Sequence, residues 1–265
     1  MSLKRIYAIY IRQWFLIKSN PVRLANIFLW LLIDIFLWGY ISKYLSTLGQ
    51  ATFSFVTVVL GAIILWEFLS RMQQGIMTSF LEEIWSNNFV NFFASPLKIK
   101  EYVAGMVLTS IMTTAVGFLA MVLVAGLVFG YNILLLGFYI FPFILILFIF
   151  GVAIGIFISG VVFNFGPSAE WLAWPIPLLL SIISGVYYPL STLPLFLQAI
   201  AKIFPTAYVF ESMRTVVTSN NPASNIDLLI GLLLALAYLF LAYIFFIKIY
   251  QRNLKNGGIA RFNAV

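Results

Sequence analysis

The sequence predicts an all-α membrane protein with six transmembrane helices, and three observations carry that reading. The first is composition: of 265 residues, 63% are hydrophobic and only 9% are charged, against about 25% charged in an average soluble domain. A soluble chain cannot keep that much apolar side chain from water and still clothe its surface in charge. The second is pattern. The apolar residues form continuous runs of the length that crosses a hydrocarbon core about 30 Å thick, not the dyad alternation of a membrane β-barrel. The third is charge placement, because the lysines and arginines gather in the segments that a six-span path puts on one side. These observations exclude an ordinary soluble domain, a disordered chain and a DNA-binding module.

The elements follow in chain order. Residues 3–18 read as an interfacial helix, in which Leu3, Ile6, Tyr7, Tyr10, Trp14 and Ile17 form an uncharged stripe and Lys4, Arg5, Arg12 and Lys18 lie off it. Ile9, Ile11, Phe15 and Leu16 also fall off the stripe, which leaves them for packing on neighbouring protein. Pro21 suits the first turn of span one, at roughly 22–45. Spans two to four follow at 52–77, 101–129 and 133–163. Span five, 168–188, is shorter and carries Pro175 and Pro177, which distort a helix by removing backbone donors. Residues 189–218 are apolar but interrupted by Pro189, Pro194 and Pro205, as suits a broken re-entrant segment. Span six is 225–248.

The loop between spans two and three predicts a short amphipathic helix over 82–95. Trp85, Phe89, Phe92 and Phe93 gather on one face and Glu83, Asn87 and Asn91 on another. Ser95-Pro96 ends it, since the residue before proline leaves helical geometry. With both termini in the cytoplasm, that side holds Lys4, Arg5, Arg12, Lys18, Arg23, Lys98, Lys100, Lys248, Arg252, Lys255 and Arg261, against Lys43, Lys202 and Arg214 opposite. The net charge of +7 is therefore a topology signal. The apolar run after the basic start is too long for a cleavable signal peptide. Cysteine and histidine are absent, which removes disulfides, thiolate sites and imidazole chemistry.

The order of these segments resembles the permease subunits of type-2 ABC exporters. The resemblance rests on Ser95-Pro96-Leu97 with Glu101-Tyr102 and Gly105. It rests equally on Ser184-Gly185-Val186-Tyr187-Tyr188-Pro189, Leu193-Pro194, Phe204-Pro205 and Glu211-Ser212-Met213-Arg214. It implies that the helix over 82–95 is a coupling helix, with Glu82, Glu83, Trp85, Asn87, Asn91, Ser95 and Pro96 meeting a separate cytoplasmic ATPase. It also implies a permease homodimer, or a pair with a close relative, in the cytoplasmic membrane of a prokaryote. The 265 residues contain no G-x-x-x-x-G-K-[ST] loop, so no cofactor is expected in this chain. ATP and Mg would sit in the partner.

Polar residues inside spans are costly and often functional. Asp34 lies mid-span in the first helix, and Glu67 and Arg71 stand at i, i+4 in the second, a spacing that permits an ion pair. They serve either as a gate on a translocation path or as a structural clamp, including Asp34 against Arg71. By resemblance, the path is lined by Trp66, Phe68 and Ser70 from span two and by Leu179, Ile182, Ile183 and Tyr187 from span five. Gly151, Gly155 and Ser159 make a small-xxx-small row that suits close helix packing. Other readings are a secondary transporter or channel, or a membrane enzyme. The eight acids are scattered, and no catalytic constellation appears. Membrane lipids are the other expected partners, and nucleic acid is not one.

Overall fold

The computed structural model describes residues 1–48, 53–86, 95–219 and 221–256. All regular structure among them is helical. The α-helices are α1 (Leu3–Lys18), α2 (Pro21–Thr47), α3 (Phe53–Trp85), α4 (Ile99–Phe129), α5 (Ile140–Phe165), α6 (Pro175–Ile183), α7 (Leu195–Ala201), α8 (Pro205–Ser219) and α9 (Asn225–Lys255). Short 3₁₀ turns cover Ile133–Tyr139, Pro167–Ala173 and Leu190–Thr192.

Among the described residues, five stretches are long and apolar enough to cross a membrane: Phe28–Thr47, Val56–Trp85, Ile99–Phe129, Ile133–Phe165 and Asn225–Lys255. The region expected to hold span five is built differently. Its apolar helical part, Ser168–Ile183, is shorter and changes from a 3₁₀ turn to α6 at Pro175. Pro175 and Pro177 have no N–H to give to the preceding turn, so the α-helix starts afresh there. It stops just before Gly185, whose φ of +61° places it in the left-handed region that glycine adopts without strain.

α3 is the central helix. Most of it is buried, while α2, α4 and α9 leave most of their length exposed. It packs on α2, α4, α5 and α8, and α9 completes the other side of α5. Small residues allow the closest of these contacts. A Cβ at Gly151 would sit 2.9 Å from Met72 Cβ and 3.0 Å from the Leu69 carbonyl oxygen. One at Gly155 would sit 2.9 Å from Ile76 Cβ and 3.0 Å from the Gln73 carbonyl oxygen. The row Gly151-Gly155-Ser159 on α5 thus lets two backbones approach.

α1 lies along α4. Its buried residues are Ile9 and Gln13, both off the uncharged stripe. Ile9 fills the space over Gly105, where an added Cβ would meet Ile9 Cβ at 2.7 Å. Tyr10 donates to Met112 Sδ at 2.7 Å. The helix therefore has two apolar faces, one on protein and one outward with Leu3, Tyr7 and Phe15 exposed.

Candidate functional site

Three groups of polar residues stand out, and α3 runs through two of them. The first lies midway along α3. Arg71 Nε lies 3.8 Å from Glu67 Oε2, one turn apart on α3, with 12% and 14% of their side chains exposed. Asp34 of α2 faces the Glu67 carboxyl and lies within electrostatic reach of Arg71. Tyr187, in the turn after α6, lies near both acids. Its ring stacks on Trp38 of α2, with centroids 4.8 Å apart and planes 10° off parallel. Two acids, one guanidinium and a stacked aromatic pair thus meet where α2, α3 and that turn converge. An isolated charge in hydrocarbon is expensive, so the arginine beside the two carboxyls offsets the cost of keeping them there.

The other lining candidates lie elsewhere. Trp66 is buried toward α8, its ring 6.2 Å from Phe210. Phe68 meets Phe118 of α4 edge-on at 5.5 Å. Ser70 is buried, Leu179 and Ile182 are exposed, and Ile183 is half-buried.

The second group lies at the end of the bundle where the basic residues of α1 gather. Residues 87–94, including Asn87 and Asn91, lie outside the described residues, and with them most of the helix expected over 82–95. Glu82, Glu83 and Trp85 form the last turn of α3 rather than the start of a new helix. Glu83 is fully buried and ion-paired with Arg12 of α1, so its carboxylate faces protein. Trp85 is exposed and donates Nε1–H to Glu170 Oε2 at 3.2 Å. Ser95 and Pro96 are exposed.

Glu101 mirrors Glu83 on the far side of that segment. Its carboxylate accepts from the Ser2 N–H at 2.6 Å and the Lys98 N–H at 3.1 Å, and pairs with Arg5 at 3.3 Å. Arg5 also donates to the Pro96 carbonyl at 2.5 Å. The Glu101–Lys98 contact caps α4, as a carboxylate in the first helical turn does. α1 is thus pinned by two ion pairs, one on each root of the stretch 86–98.

The third group braces the interrupted segment. Arg214 of α8 donates to the carbonyls of Gly185, Val186 and Tyr188 and pairs with Glu211 at 3.3 Å. Glu211 accepts from the Leu190 N–H at 2.7 Å, and Ser184 and Thr206 share a hydroxyl hydrogen bond of 2.5 Å. These contacts satisfy carbonyls of the turn that follows α6 and hold Tyr187 in place near the acids.

Sequence reading paired Glu67 with Arg71 by spacing, but it missed Arg5, Arg12 and Trp38. No local pattern marks a partner 71 residues or more away. Among the described residues, no cluster of three or more acids could hold a metal ion. The profile of the family described as "ABC-2 type transporter" matches residues 3–218. No curated protein matches the chain.

Proposed function

The chain belongs to the ABC-2 type transporter family, and from that premise we propose that it is the permease subunit of an ATP-driven exporter. In this reading, separate cytoplasmic ATPase subunits bind ATP and Mg, and two copies of this chain form the path. The basic ends face the cytoplasm, by the positive-inside bias. The broken region 167–188 completes a sixth crossing.

The observation that carries the reading is the double brace of α1. Arg12–Glu83 and Arg5–Glu101 hold the two roots of the 86–98 stretch to a single helix. A push on that stretch by a soluble motor would then move α1, α3 and α4 together, because packed elements transmit displacement rather than absorb it. α3 carries the motion inward to Glu67 and Arg71, where Asp34 and Tyr187 would open or close the path. The surfaces proposed to meet the ATPase are Glu82, Trp85, Ser95 and Pro96, with Asn87 and Asn91 between them. Glu83 serves the brace.

The test is co-expression with an ABC ATPase followed by purification and reconstitution. The expected result is a stable complex whose ATP hydrolysis drives transport. Asn87→Ala/Asn91→Ala/Pro96→Ala should cut that hydrolysis severalfold while the permease itself stays folded. If no ATPase associates and the triple variant is silent, the reading fails. The Asp34–Glu67 pair favours one other reading, a secondary transporter that loads a cation between the two carboxyls. Uptake driven by an ion gradient in vesicles free of ATPase would select it.

A further inference from the structure

α3 carries a polar stripe through a stretch that is otherwise apolar enough to cross a membrane. Glu67, Arg71, Gln74, Thr78 and Glu82 recur at i, i+4, i+7, i+11 and i+15, which keeps them on one helical face. From Arg71 onward the stripe borders an open cavity of about 160 Å³ between α1, α3, α4 and Trp174. A single ordered water needs only roughly 10–15 Å³ on this measure. α1 contributes Gln13, and α4 contributes Thr109 and Thr113.

The polar groups around this space point to its occupant. Gln13 is only 2% exposed, borders the cavity, and makes no hydrogen bond to the described residues. Its amide opens onto the cavity and can pair with whatever fills that space. The hydroxyls are turned the other way. Ser79 donates to the Gly75 carbonyl at 2.7 Å, Thr109 to Gly105 at 3.0 Å and Thr113 to Ser110 at 3.1 Å. Thr78 donates to Gln74. Each hydroxyl has spent its proton on its own helix and offers lone pairs to the cavity. Gln13 and Gln74 supply amide donors beside them, and the Glu82 carboxylate also borders the space. Arg71 already faces Glu67 and Asp34, so an incoming anion competes with two carboxylates. A quaternary ammonium brings no N–H for the waiting lone pairs.

We infer that this cavity binds the polar head of the transported molecule and takes a neutral, hydroxyl-rich head in preference to an anionic or quaternary-ammonium one. The word transported rests on the permease reading, whereas the binding does not. The test uses the full chain in phosphatidylcholine nanodiscs, with empty nanodiscs as the blank. Three probes share an octyl tail, and each stays below its micelle concentration: octyl glucoside, octyl phosphate and octyltrimethylammonium. Equilibrium dialysis should show saturable glucoside binding at least about 10-fold tighter than either ion.

Thr113→Val, which keeps the side-chain shape, and Gln13→Leu should each weaken glucoside binding several-fold and leave the ionic probes unchanged. Equal or tighter binding of an ionic probe, no saturable glucoside binding, or full binding in both variants overturns the inference. If ATP-driven transport is present while cavity binding is absent, the inference fails alone. If the cavity binds but no ATPase associates, the permease reading fails alone.

Discussion

Replacing Arg12 with leucine tests the brace most directly. The substitution takes the guanidinium away from Glu83, whose side chain is completely buried, and puts an apolar group in its place. Breaking a fully buried ion pair by removing one partner costs about 3–5 kcal/mol, and an exposed pair is worth at most about 1. Arg12 keeps 34% of its side chain exposed, so water screens part of the interaction, and the expected cost falls between, at about 2–3 kcal/mol. For a chain of this size, that lowers the melting temperature by roughly 4–12 °C. The assay is thermal unfolding in nanodiscs for Arg12→Leu, Glu83→Gln and the double variant. The double variant should recover much of the loss, because a neutral amide no longer needs the guanidinium. In the reconstituted complex, Arg12→Leu should also lower transport per ATP hydrolysed. A single variant that melts within about 2 °C of the parent, or a double variant that recovers nothing, refutes the brace.

Other substitutions probe the remaining contacts. Gly155→Val places atoms against Ile76 Cβ and the Gln73 backbone, and should cost about 1–3 kcal/mol by overpacking, seen as a lower melting temperature. Gly130→Ala is the contrast: its φ of +66° strains any side chain, but nothing stands in the way, so the loss should be about 1 kcal/mol. Asp34→Asn should lower transport several-fold with assembly intact, and unchanged transport would remove Asp34 from the path. Arg214→Ala removes three hydrogen bonds to carbonyls and should speed proteolytic cutting near residues 189–193. Arg214→Lys should not restore protection, because an ammonium cannot span three carbonyls as a planar fork does. Equal cutting rates in Arg214→Ala and the parent would contradict that role.

Much of the helical architecture was legible because helix signals are local. Apolar runs and Pro21 at the start of α2 act within a few residues of where they stand. The Glu67–Arg71 pair was legible for the same reason, since one helical turn sets it. Glu83 was not. On spacing alone it belongs to a polar face with Asn87 and Asn91, yet α3 continues through it and turns it onto Arg12. Ile9 and Gln13 fall off the stripe of α1 for a similar cause, because the helix lies against α4 as well as at the membrane surface.

The sequence by itself determined that this is a helical membrane protein, where its long helices run, and which few polar residues sit within them. Those properties depend on hydrophobic length and backbone chemistry, which each segment carries alone. Only the tertiary structure decided that Asp34 meets Glu67 and Arg71, that Tyr187 stacks on Trp38, and that α1 straps both roots of the 86–98 stretch. Such contacts join residues on separate helices. Their existence depends on how the helices pack around α3. The few charges that the membrane tolerates are kept by neighbours that no local pattern could name.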